Sequence, residues 1–331
     1  MLRVGIFYCT EDYGPIEPLQ RCRGDLRDFG FETEFISRSK FSPTTKISSQ
    51  TKFDLVLAQQ SEFVRSEVDR ANKIILLERA DASISWCRKL IQDSRVLMVL
   101  KGGVLRDPNL NNHCYGRYHT SLLEGVSVEP ARIVLNSQDL AKMTPGVGFG
   151  AYSVMDLAIA FSNWRVDDRR DIDVSFLGTI NYGDRTEIDL HRQRAIKIVE
   201  GMSVKKLLGT GKSLKRAAYL QRMVESKIVI SPWGFGELCY RDFEAFLTGA
   251  ILVKPDTGFV RSWPDMFLDQ TFYVPCRPDF SDLSDVISNI LENYSKWDWI
   301  RYRAREVTLD HRNPGRIARY YAGLFRKVLD S

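Results

Sequence analysis

The stretch SKIVISPWGFGELCYRDFEAFLTGAILVKPD, residues 226–256, decides how the rest of the chain is read. Residues 227–231 are a short β-branched run, residues 232–236 supply Pro and Gly punctuation, and residues 237–248 have helical spacing. Gly249 stands where a helix stops, before the apolar run 251–253. Strand, tight loop, helix and strand make one βαβ unit, and such units leave a ligand crevice beyond the ends of their strands. The spacing of Glu237, Arg241 and Glu244 predicts one charged helix face, with Leu238, Phe246 and Leu247 packing elsewhere. A helix that starts directly after Gly234 and Gly236 would let backbone N–H groups approach an anion closely. On spacing alone, the same three charges also read as ordinary surface pairs worth ~0.2–0.5 kcal/mol each.

This wording, continued by Trp263, Pro264, Asp265, Tyr273 and Pro275, resembles the donor-side motif of bacterial glycosyltransferases of the GT-B architecture. The likeness is to their exostosin-like and spore-maturation-protein-like branch (glycosyl transferase family 1-like). It covers about the last third of the chain. It implies an α/β fold of two Rossmann-like domains facing across a cleft. Residues 1–155 would form the acceptor side, residues 156–310 the nucleotide-sugar side, and residues 311–331 a helix packing back on the first domain. The resemblance further implies that Glu244 binds ribose and that Arg241 lies near the phosphates. Gly178, Arg185, Gly234, Gly236, Glu237 and Lys254 would complete the donor side, GTINYGDR at 178–185 being similar to the family's first loop of the second domain.

On the acceptor side, Asp81, Lys101, Arg106 and Asp107 are similar in type and order to the family's pattern. Glu78-Arg79 departs from it, standing where members often carry an Asp-Trp-like pair. Asp81 is the candidate base and Arg241 the candidate stabiliser of the leaving diphosphate. Glu78 and Asp81 read equally well as caps of the next helix. His113 and His119 share the loop NLNNHCYGRYH; a histidine there could act as base, His113 being the acceptor-side candidate, and no third ligand stands nearby to make a metal site.

Composition limits the alternatives. With 331 residues and 44% hydrophobic content, the chain is natural for two domains. A net charge of +5 with no block of like charge argues against a nucleic-acid partner. Six cysteines without CxxC spacing argue for a reducing compartment and against zinc. The N-terminal apolar run is too short for a signal peptide, and no window approaches ~20 apolar residues. The expectation is a cytoplasmic enzyme without metal or other cofactor. It would use a donor such as a UDP- or GDP-sugar and a glycan or lipid-linked glycan acceptor. Its rivals are a non-catalytic sugar- or nucleotide-binding protein and an oxidoreductase, which would need a well-formed G-x-G-x-x-G after a strand.

Strands predicted at 3–9, 32–36, 53–58, 73–77 and 96–100 alternate with helices at 19–29, 63–71 and 84–92, the pattern of a doubly wound parallel sheet. Gly146, Gly148 and Gly150 read as interdomain connection. Asp171-Ile172-Asp173 reads as the start of a strand at 174–177 rather than a metal motif. LLGTGK at 207–212 lacks the first glycine of a phosphate loop. The final helix, 314–329, has an apolar stripe flanked by Arg316, Arg319, Arg326 and Lys327, suited to return packing or to a peripheral membrane contact.

Overall fold

Apolar runs bounded by turn formers become the strands of two parallel sheets in the computed structural model. It describes residues 1–10, 14–38, 52–62, 71–79, 81–183, 186–209, 214–268 and 271–331. In the N-terminal half, strands β1 (Leu2–Cys9), β2 (Phe31–Arg38), β3 (Leu55–Gln59), β4 (Ile74–Leu77) and β5 (Val96–Lys101) are followed by the two-residue β6 (Val104–Leu105) and by β7 (Met143–Pro145). The C-terminal half supplies β8 (Ile172–Leu177), β9 (Lys206–Gly209), β10 (Ser226–Ile230), β11 (Ile251–Pro255), β12 (Val260–Arg261) and β13 (Val274–Cys276). The sheet orders are β2-β1-β3-β4-β5-β7 and β13-β11-β10-β8-β9. Every pairing within these two sheets is parallel. β3 and β4 are buried along their whole lengths, as parallel strands covered on both faces must be.

Both sheets wind in the same way. The second strand lies on one side of the first and the third on the other, so each sheet reverses once, between β1 and β3 and between β8 and β10. Ligands of open α/β sheets bind at such reversals, beyond the carboxyl ends of the strands. The loops after β8 and β10 are therefore the ones that build a site. β6 and β12 pair antiparallel, Leu105 opposite Val260, and join the two halves.

The helix Pro314–Leu329 returns to the first half. Asn313 caps it, and Ile317, Tyr321, Phe325 and Val328 enter the core formed by Val4, Ile6, Leu26 and Phe31. Its apolar face is enclosed there, which corrects the expectation that this stripe could touch a membrane. No helix among the described residues is long and apolar enough to cross one.

Three helix expectations change. The decisive helix is Tyr240–Thr248, starting three residues later than the spacing predicts, because Cys239 and Asp242 form a reciprocal cap. It ends at Gly249 in the left-handed region, φ +72°. Of residues 84–92 only Arg88–Ile91 is helical, since Glu78 holds Ser85 and the Trp86 N–H in a turn. The expected helix 19–29 divides at Cys22 into Glu17–Arg21 and Arg23–Asp28. The helix expected at 63–71 lies almost wholly outside the described residues. All six cysteines are free and five are buried, so they pack as small hydrophobes.

Candidate active site

A cavity of about 320 Å³ opens where the loops after β8 and β10 meet the start of the helix Tyr240–Thr248, and Arg192, Arg241, Arg216, Tyr182 and Glu244 lie on its walls. Arg241 crosses to the end of β8, where its Nε and Nη2 donate to the Leu177 carbonyl at 3.3 and 3.2 Å. Gly178 leaves the room for this: a side chain there would collide with the Arg241 guanidinium. Arg241 Nη1 is buried and has no hydrogen-bond partner among the described residues. Such a group costs ~1–3 kcal/mol unless a ligand satisfies it.

Arg192, from the helix Thr186–Gly201, donates to the carbonyls of Trp233 and Thr179 at 3.2 and 2.6 Å and to the Tyr182 hydroxyl at 2.7 Å. Neither guanidinium forms an ion pair with a carboxylate among the described residues. Burial and the neighbouring charge of Arg241 lower the Arg192 pKa. For Arg241 burial acts in the same direction, but Tyr219, Cys239, Glu244 and Asp242 outweigh it and raise its pKa. Two cations held together without a carboxylate in direct contact are suited to an anion, although the charges of Glu244 and Asp242 reach Arg241.

Glu244 is buried on this wall. Its Oε1 accepts from Arg216 and its Oε2 from the Tyr219 hydroxyl at 2.6 Å. Burial and the Glu244 charge push the Tyr219 hydroxyl pKa well up, so it stays a donor. A carboxylate has about four acceptor positions, so capacity for further donors is left.

Two expected donor residues, Glu237 and Lys254, stand elsewhere. Glu237 precedes the helix and faces the other half: its carboxylate accepts from the Ser83 N–H at 2.9 Å and the Ser83 hydroxyl at 2.7 Å. The shared helix face with Arg241 and Glu244 is thereby lost. Lys254 is enclosed at the end of β11, donating to Asp242 at 2.7 Å and to the Glu237 carbonyl at 2.6 Å. It neutralises the capping aspartate and does not reach the cavity. Gly236 lines the cavity and also lies against the Asp81 backbone, where a side chain would clash, so it serves contact between the halves as well. Gly234 passes over the Arg192 guanidinium, with which a side chain would collide. Arg185 lies outside the described residues.

A second cavity, about 310 Å³, lies at the carboxyl ends of β4, β5 and β7 and shares Asp81, Phe149, Leu238 and Tyr240 with the first. Asp81 stands where the two meet. Although the residue is exposed to the cleft, desolvation by the walls raises its carboxyl pKa despite the charges of Arg79, Lys101 and Arg117. Tyr240 is shifted up by partial burial and then by Asp81. Lys101 is fully buried on the floor, its Nζ 3.0 Å from Glu78 Oε1. The pair sits within the scaffold, yet Lys101 Nζ has no hydrogen-bond partner among the described residues, and Lys101 keeps its place on the wall of this cavity.

Arg106 is a tie between the halves, donating to both oxygens of Asp265 at 2.7 Å and to the Gly258 carbonyl at 2.7 Å. His113 is exposed, packs edge-on against Tyr118 and lines neither cavity. Both leave the acceptor-side set for these reasons. Asp173 pairs with Lys227 at 2.7 Å, in keeping with a strand start. Sequence reading missed Arg216, Tyr219 and Tyr240 and gave Arg192 no role. They converge from three separate helices, and no local spacing signals that.

No protein-family model matches the chain, and neither does any curated protein. Among solved structures, a glycosyltransferase from Rickettsia africae ESF-5 is similar with 11% identity and a TM-score of 0.56, over 99% of this chain and 98% of that one. Anabaena Alr3699/HepE in complex with UDP and glucose is similar with 12% identity and a TM-score of 0.50, over 99% of this chain and 100% of that one. At such identities the likeness concerns the fold: the chain has the GT-B architecture of two Rossmann-like domains.

Proposed function

We propose that the chain is a glycosyltransferase moving a sugar from a nucleotide-sugar donor to a hydroxyl acceptor. One observation carries this reading: Arg192 and Arg241, without carboxylate partners and with one N–H unsatisfied, stand at the reversal of the second sheet and open toward Asp81 on the first. A nucleoside diphosphate satisfies the arginines. Its ribose lies against Glu244, whose free lone pairs accept the hydroxyls. The sugar then lies toward Asp81, and the acceptor enters through the cavity above Lys101 and Glu78.

As the sugar–phosphate bond breaks, negative charge grows on the bridging oxygen, and the paired guanidiniums stabilise it. Asp81, with its pKa raised into a more basic range, takes the acceptor proton in an inverting transfer. The arginines supply the cationic stabilisation that a divalent metal would otherwise give, so the reaction proceeds without one. The Anabaena structure holds UDP and glucose, which favours a UDP-sugar. The resemblance of residues 226–256 supports an exostosin-like enzyme acting on a glycan of a surface polysaccharide or glycoconjugate. Titration with UDP, GDP and CMP, followed by donor hydrolysis with and without EDTA, tests this. Nucleotide binding without turnover on any acceptor would instead identify a binding protein. Turnover abolished by EDTA and restored by manganese would overturn metal independence.

A further inference from the structure

A third cavity, about 460 Å³, opens beside the one above Lys101 and Glu78. Gln60, directly after β3, and Trp86 stand on its walls, and the Trp86 N–H donates to Glu78 at 2.6 Å, so that carboxylate joins the two cavities. Two rings are held out to water here: Trp86 is 48% and Tyr115 53% exposed. Neither is loose. The indole N–H donates to the Gly116 carbonyl at 2.8 Å, and the Tyr115 N–H donates to the Glu129 carbonyl at 2.7 Å. Arg88, buried on the same wall, donates to the carbonyls of Asn111, Ile133 and Cys114 and so fixes the loop that carries Tyr115. Its Nε has no hydrogen-bond partner among the described residues.

Arg88, Lys89 and Arg132 line this cavity, and among the described residues no carboxylate does. Arg132 lies 5.6 Å from the Tyr115 ring and pairs with Glu129 at 3.0 Å, but both partners are exposed and such a pair holds weakly. The Glu78 charge reaches Arg88 from the neighbouring cavity. A fixed, exposed ring suits the C–H face of a sugar, and cations beside it suit an anionic group on that sugar. We propose that the cavity is a subsite for an anionic glycan, whose sugar ring lies against Trp86 and Tyr115 while its carboxylate or phosphate meets Lys89 and Arg132. The buried charge of Arg88 adds to the attraction. Arg117 continues this surface toward the donor: it lies 5.8 Å from the Trp86 ring and 5.6 Å from the Phe235 ring, and donates to the Phe235 carbonyl at 2.9 Å. Phe235 lines the donor cavity, so the bound sugar neighbours the unit that receives the transferred one. Nucleic acid also stacks on rings, but a net charge of +5 without a block of like charge offers few phosphate contacts. Only the role as acceptor rests on the glycosyltransferase reading; binding of an anionic sugar does not.

Calorimetric titration of the intact protein with hexagalacturonate, a phosphopentamannose and neutral maltohexaose at low salt tests this. At least one anionic oligosaccharide should bind about ten-fold or more tighter than maltohexaose, with an affinity that falls as salt rises. Lys89→Glu/Arg132→Glu should weaken that binding about ten-fold, and Trp86→Ala about five-fold, both without loss of melting temperature. Equal affinity for maltohexaose, no binding of either anionic oligosaccharide, or affinity untouched by the variants overturns the proposal. So does tighter binding of a single-stranded DNA oligonucleotide or of phosphatidylglycerol vesicles through the same residues. If Trp86→Ala does not fold, the charge-reversed variant decides, since both its side chains are exposed. Absence of UDP binding by the wild type would remove the glycosyltransferase reading while leaving the glycan result standing.

Discussion

The two cavities at the sheet ends handle charge in opposite ways. Below the N-terminal one, Lys101 and Glu78 are buried and matched, and Glu78 also orders the turn through Ser85 and Trp86. On the C-terminal side Arg192 and Arg241 are neighbours without a direct ion pair to a carboxylate among the described residues, and Arg241 Nη1 is unsatisfied. A matched buried pair has its charge balanced without a ligand, although Lys101 Nζ too has no hydrogen-bond partner among the described residues, and removing one partner strands the other. Unmatched cations favour an anion that has yet to arrive. Burial of a charge by itself therefore does not mark a site; the missing partner does.

The strongest way to break this contrast is Lys101→Met, which should destabilise the fold by ~3–5 kcal/mol in denaturant unfolding because Glu78 is left buried and alone. A stable Lys101→Met protein with lost nucleotide binding would return Lys101 to the functional set. Asp81→Asn should lower turnover by ~10²–10⁴ with nucleotide affinity unchanged. Its pH dependence has a definite sign. Because the folded-state pKa of Asp81 is raised, the ionised form is disfavoured by folding, and that cost is present above the raised pKa and vanishes in acid. Asp81→Asn should therefore melt no lower than wild type at pH 7, the two converging at acid pH, while wild-type turnover falls as pH drops through the raised pKa.

Arg241→Lys keeps a charge but loses the planar fork, so single-turnover rate should fall by ~10²–10³ with little change in melting. Near-normal turnover in that variant would show that the arginine is structural. Smaller still, Glu244→Gln should weaken nucleotide binding about ten-fold, as expected for ~1–3 kcal/mol of unpaired ribose hydroxyls. Unchanged affinity in a calorimetric titration would leave Glu244 only as the partner of Arg216 and Tyr219.

What the sequence determined is the local pattern: continuous apolar strands, glycine-marked helix ends, and from their alternation a doubly wound parallel sheet, the second sheet being implied by the resemblance of residues 226–256. It also located the loop around Gly234 and the arginine Arg241, because a strand–loop–helix unit carries its own crevice. What it could not decide is which charge meets which. Glu237 and Arg241 have helical spacing, yet a cap by Asp242 delays the helix and sends Glu237 to Ser83, 154 residues away. Lys254 ends a strand in the same motif and is drawn inward by that same Asp242. Arg192 reaches the site from the helix after β8, and His119 from a loop of the other domain. Periodicity reports which face of an element is buried, since burial repeats along the chain. Ion pairing and desolvation depend on distances between elements, and those arise only once both sheets have closed and their loops face one another.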